Sequence, residues 1–156
     1  MTPAVLKRTT FIATDAQRQA DFYASVFGFD RWYDHELKVD HRYPPTGAPD
    51  GARARLIILQ AQDPQVGMIG FLQYLEAALP EAPKASGRLR PGDPVLVFNV
   101  ADVEEVHRRA IDAGATIGSA PTVWEVPQRE GVGVTRLKML SLFDPEGHYC
   151  EVSTRL

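Results

Sequence analysis

The chain has 156 residues, 44% of them hydrophobic and 24% charged, and a formal net charge of −3. That length suits one domain or two small modules, with enough chain to bury a core. The charge balance argues against nucleic acid, no apolar run approaches a membrane span, and one cysteine, Cys150, excludes a disulfide framework or a multi-cysteine zinc site.

The opening Met-Thr-Pro-Ala-Val-Leu-Lys-Arg lacks the pattern of a secretory signal, so the expected compartment is the cytoplasm. Thr10–Ala13 reads as a strand leading into Thr14-Asp15, where Thr14 and Gln17 have the spacing of a capping box. The stripe Ala16, Ala20, Tyr23, Phe27 predicts a helix that stops at Gly28. Strands are expected at Phe29–Tyr33, Arg55–Gln60 and Met68–Tyr74, with a Pro/Gly-rich loop at Tyr43–Gly51. His35 and His41, with Asp34, Glu36 and Asp40 nearby, read as a solvated edge, or less simply as an unrelated metal site.

The second half restarts the same order. Val95–Val100 is a strand, Asp102 caps a helix striped by Val103, Val106, Ala110 and Ala113, and Gly114 ends it. Strands then fit Ala115–Ile117, Val123–Val126, Leu137–Phe143 and Tyr149–Ser153. Asp144-Pro145-Glu146-Gly147 is turn chemistry, because Pro presets φ and Gly accepts a positive one. Each half thus reads as β-α-β-β-β, a unit whose helix covers only one face of its sheet. The expected organisation is one domain over 1–156, with modules 5–78 and 93–155 joined by a Pro/Gly-rich linker at 79–92. The Pro127–Gly133 stretch is a further loop. Cys150 should point towards the helix as a buried thiol, and no nucleophilic triad, phosphate loop or dinucleotide fingerprint is present.

On Thr14-Asp15, Asp21-Phe22-Tyr23, Phe27-Gly28-Phe29, Val100-Ala101-Asp102, Ala113-Gly114-Ala115 and Asp144 to Glu151, the chain resembles the vicinal oxygen chelate superfamily. This is the glyoxalase/bleomycin-resistance/dioxygenase group. The resemblance implies an α+β fold of two βαβββ modules, a mixed sheet curled around a cavity, and a homodimer. In metal-dependent members, ligands come from the first and last strands of each module. Those positions correspond to Arg8, seven residues before Asp15, to Val95, seven before Asp102, and to Glu151. The fourth, with the turn Asp63-Pro64-Gln65-Val66-Gly67 matched to Asp144-Pro145-Glu146-Gly147 at the glycines, falls on Phe71, or on Gly70 or Leu72 if the alignment slips. Arginine and valine offer a metal no lone pair, so the expectation is no metal and no cofactor.

If those positions converge as in relatives, Arg8 and Glu151 face one cavity, either as a buried ion pair or as contacts for a polar ligand group. Strand alternation adds Thr10, Val95, Val97, Asn99, Tyr149 and Ser153, with Phe71 and Gln73 if Phe71 is the matching position. The expected partner is a small organic molecule with a polar or anionic end, bound or sequestered at Arg8. The alternative is a metal-independent lyase or isomerase with Glu151 as catalytic base. A metal-dependent lyase or dioxygenase with relocated ligands is the third reading.

Overall fold

Two helices are fixed by their ends. The computed structural model describes residues 2–80 and 87–156, so the linker expected at 79–92 lies partly outside the described residues. Helix α1 spans Ala16–Phe27, with Asp15 as N-cap accepting from the Arg18 N–H and Gly28 as C-cap at φ 71°. The cap is therefore Asp15 rather than Thr14. The Gln17 amide donates to Asp21 one turn along. Helix α2, Val103–Asp112, is capped by Asp102, which accepts from the Glu104 and Glu105 N–H groups.

The chain divides into two compact units, Met1–Pro83 and Lys84–Leu156. In the first, β1 (Arg8–Ile12), β2 (Asp30–Lys38), β3 (Arg53–Gln60) and β4 (Met68–Tyr74) form a sheet of order β1-β4-β3-β2. In the second, β5 (Val95–Asn99), β6 (Thr116–Pro127), β7 (Val134–Phe143) and β8 (Tyr149–Arg155) repeat that order as β5-β8-β7-β6. The first and last strands of each unit are parallel and the other pairs antiparallel. The helix crossover after the first strand of each unit lets that strand pair in parallel with the last, while the strands joined by turns and loops run antiparallel.

Two strands depart from expectation. β2 runs on from the expected Phe29–Tyr33 to Lys38, because an edge strand tolerates the alternating charges of Asp34, Glu36 and Lys38. The two short strands expected after α2 are one, β6, with register shifts between Ile117 and Thr122. Gly118 and Pro121 look like breaks in the sequence, but an edge strand absorbs them as bulges. No helix of the described residues is long and apolar enough to cross a membrane.

Helix α1 buries Ala16, Ala20, Phe22, Tyr23 and Val26. The sheet face beneath carries Phe11, Ile57, Leu59 and Phe71, with Phe71 fully buried between Phe11 and Tyr23. Gln73 shares that face, and its Oε1 accepts from the Ala16 N–H at 3.1 Å, one of the orphan donors of the helix start. The second unit repeats the arrangement with Val103, Val106 and Ala110 on the helix, and Leu140, Leu142, Cys150 and Val152 on the sheet.

The first unit has a second, smaller core on the opposite face. Val39, Ala48 and Ala52 from the β2–β3 loop pack with Ala54 and Leu72. The loop closes on itself through Val39 N–H to Ala52 O and Gly51 N–H to Val39 O, at 3.0 and 2.9 Å. The Pro/Gly-rich loop is thus a packed part of the sheet's open side.

Candidate functional site

The helix-free face of the first sheet is built by alternation. Register pairs Thr10 with Gly70 and Leu56 with Leu72, and places Arg8, Thr10 and Ile12 along one side of β1. A cavity of about 590 Å³ opens there. Ile12, Leu56 and Leu72 contribute apolar surface from the strands, and Leu37, Val39, Tyr43 and Pro44 contribute it from the end of β2 and the loop. Its charged and hydroxyl groups are Arg8, Thr10, Lys38 and Asp40.

Arg8 Nε donates to Thr10 Oγ1 at 2.8 Å, which leaves the terminal guanidinium nitrogens without a partner among the described residues. The pair lies across Gly70. A Cβ there would stand 2.8 Å from Thr10 Oγ1, 3.3 Å from Thr10 Cγ2 and 3.2 Å from Arg8 Cδ. Both heavy branches of Thr10 are close, so rotating χ1 cannot clear them together. Gly70→Ala is expected to cost about 1–3 kcal/mol, read by urea unfolding. Thr10→Ala in the same chain should recover most of that loss, and simple additivity would refute the contact.

Phe71 and Gln73 do not belong to this face. Alternation turns Phe71 into the aromatic core and Gln73 towards the start of α1, so their assignment beside Arg8 is corrected. The ladder explains the slip. Thr10 pairs with Gly70 as Val97 pairs with Glu151, so the counterpart of Glu151 is Gly70. The two turns match at their aspartates rather than at their glycines. Asp63 Oδ1 accepts from Gln65 and Val66, Asp144 Oδ1 accepts from Glu146 and His148, and Met68 and Tyr149 open their strands equally far beyond.

In the second unit, Val95, Val97, Asn99, Tyr149, Glu151 and Ser153 share the face turned away from α2. Val95 and Val97 are exposed, while Cys150 and Val152 between the others are fully buried. Ser153 Oγ donates to Asn99 Oδ1 at 3.0 Å, and Tyr149 packs on Phe143 at 5.3 Å between ring centres. Glu151 is half-buried between Val97 and Ser141, with no hydrogen bond or ion pair among the described residues. His148 sits in the preceding turn, its Nδ1 2.8 Å from Asp144 Oδ2.

Several lining residues escape a reading by family positions: Lys38, Asp40, Tyr43 and Pro44. The signal that could have found them is the burial potential of Val39, Ala48 and Ala52, apolar residues within a turn-rich stretch. Asp40, His41 and Asp50 also bring potential ligand atoms within 4.8 Å of one another. Asp40 is already committed, however, with both oxygens held by Arg42.

Each unit is therefore a four-stranded mixed sheet with one helix on one face and an open opposite face, the α+β class of paired βαβββ modules. The family model of the Glyoxalase/Bleomycin resistance protein/Dioxygenase superfamily matches residues 5–152, and the chain belongs to that superfamily. Among solved structures it is similar to a glyoxalase family protein from Bacillus cereus, with TM-score 0.69 and 15% identity over 100% of this chain and 95% of that one. It is also similar to TioX from Micromonospora sp. ML1, with TM-score 0.54 and 19% identity over 99% and 100%. A third likeness is to a glyoxalase/bleomycin resistance protein/dioxygenase family enzyme from Burkholderia phytofirmans PsJN, with TM-score 0.56 and 18% identity over 98% and 100%. At these identities the likeness speaks for the fold. No curated protein sequence matches the chain significantly.

The positions at which the resemblance implies metal ligands can be tested by donor chemistry, unit by unit. In the first they hold a guanidinium, Arg8, and a hydrogen, Gly70; in the second, an isopropyl group, Val95, and the carboxylate of Glu151. One carboxylate does not make the three or four protein ligands a divalent transition metal takes. The donor set does not fit the family's metal.

Proposed function

We propose that the protein binds a small organic molecule in the cavity of its first unit, without the family metal. The observation that carries this reading is the cavity itself. Its volume lies within the ordinary range for small-molecule sites, its walls are largely aliphatic and aromatic, and a few polar groups stand together on β1. The apolar body of the ligand lies against Leu56 and Leu72, and its polar end meets Arg8 and Thr10. Because Arg8 Nε is already engaged by Thr10, the side chain is held in place before a ligand arrives, which lowers the ordering cost of binding.

The neutral dye N-phenyl-1-naphthylamine, fluorescent in apolar surroundings, tests the cavity. Saturable binding at one dye per chain is expected, weakened roughly tenfold or more by Leu72→Asp and unchanged by prior dialysis against a chelator. Non-saturable binding, or equal binding by the variant, would count against the cavity. Loss on chelation would count against the metal-free reading.

One observation favours a second reading, a metal-independent lyase or isomerase. Glu151 is a half-buried carboxylate with no hydrogen bond or ion pair among the described residues, so its oxygens are open to a substrate group. Under that reading Glu151→Gln abolishes turnover of an identified substrate while preserving its binding. Unchanged turnover removes Glu151 as the base.

A further inference from the structure

Resting on that reading, we propose that the cavity selects organic anions, with Lys38 as a second anchor beside Arg8 and Arg42 as the positioning residue that makes the selection possible. Three charged residues line the cavity: Arg8, Lys38 and Asp40. Taken alone they would leave one positive charge, and Asp40 would be free to neutralise either cation. The structure disposes of Asp40 from outside. Arg42, which is not part of the lining, donates from Nε to Oδ1 at 2.8 Å and from Nη2 to Oδ2 at 2.6 Å, and its backbone N–H donates to Oδ1 at 3.0 Å.

This fork-to-fork geometry uses both carboxylate oxygens. The Arg42 hydrogen bonds hold the Asp40 carboxyl down at about 2, so it stays ionised and committed across the ordinary pH range. The Arg42 guanidinium also lies 5.7 Å from the centre of the Tyr43 ring, a cation–π contact within the same loop. Lys38 has no ion pair among the described residues, and Arg8 has only its bond to Thr10. Two cations therefore face the cavity uncompensated. An apolar molecule ending in a carboxylate, sulfonate or similar anion satisfies both the walls and the charges.

Removing Arg42, a cation that does not line the cavity, should thus weaken anion binding by releasing Asp40. The probes are 8-anilinonaphthalene-1-sulfonate and N-phenyl-1-naphthylamine, which share a ring system and differ in the sulfonate. Titrated into the full chain at low salt, the sulfonate should bind roughly tenfold more tightly than the neutral dye, a preference that shrinks as salt rises because the cations are exposed. Lys38→Gln and Arg42→Gln should each weaken the sulfonate about threefold to fivefold, and the neutral dye by less. Adding Asp40→Asn to Arg42→Gln should restore sulfonate binding, since the released carboxylate is then gone.

That rescue separates charge sequestration from a merely structural role for Arg42. A double variant as weak as Arg42→Gln, or Arg42→Gln as strong as the parent, overturns the role of Arg42, and Lys38→Gln as strong as the parent overturns the second anchor. Equal binding of both dyes by the unmodified chain overturns anion selection while leaving the cavity standing. Binding of neither dye overturns the cavity reading, and this inference with it.

Discussion

Phe71→Ala is expected to lower the stability of the first unit by about 3–5 kcal/mol, the range for truncating a buried phenylalanine. Phe71 is fully buried, with its ring centre 5.3 Å from that of Tyr23 and 6.2 Å from that of Phe11. Truncation would open a void bounded by a helix on one side and a central strand on the other. Neither can collapse without moving the whole unit. Urea unfolding followed by far-ultraviolet circular dichroism reads the loss as a lower midpoint at nearly unchanged slope. The same experiment decides between core and ligand wall. A ligand contact would cost affinity and little stability, so a loss below about 1 kcal/mol would remove Phe71 from the core.

The second large effect is electrostatic. Asp34 accepts from Arg55 Nε and Nη2, both at 2.7 Å, and from Arg31 Nη1 at 2.6 Å. The Arg55 hydrogen bonds, opposed in part by desolvation and helped by Arg31, lower its pKa from 3.8 to about 2. A depressed carboxylate contributes stability that is complete above its unfolded pKa and lost as pH falls through the folded one. The window here runs from about pH 5 down to about pH 2. The shift would correspond to roughly 2.5 kcal/mol in full, but these side chains are a quarter to a third exposed, and solvent screening reduces the expectation to about 1–2 kcal/mol. Asp34→Asn should therefore lower stability by that amount at pH 7 and flatten the acid limb of the urea midpoint against pH. An acid limb as steep as the parent's would mean that other carboxylates carry it.

What could be read from the sequence was local. Asp15 and Asp102 announce helix starts and Gly28 and Gly114 helix ends because caps act within one turn, and the apolar stripes follow from the helical period. The repeat of β-α-β-β-β was visible for the same reason. Positions set by long-range pairing were not. Whether Gly70 or Phe71 faces the cavity depends on strand register, where a slip of one residue exchanges the two faces of the sheet. Matching the two turns on their glycines produced that slip, and matching them on Asp63 and Asp144 removes it. The lining from Lys38 to Pro44 was hidden differently. A loop's contribution depends on where it folds back, and nothing within Tyr43–Gly51 states that Val39 and Ala52 will meet.

Gly70 and Phe71 are neighbours in the chain with opposite obligations. One lies beneath the Arg8–Thr10 pair, and the other supports a helix. The pleat makes this division general, since alternate residues of β1, β4, β5 and β8 are committed to packing while those between them answer to the open face. Mutations that retune the open face can then accumulate with little penalty in folding, so this scaffold can explore new ligands faster than one whose core and contact surface coincide. In this chain, Gly70 and Phe71 show the division at its sharpest, one answering to the open face and the other to the core.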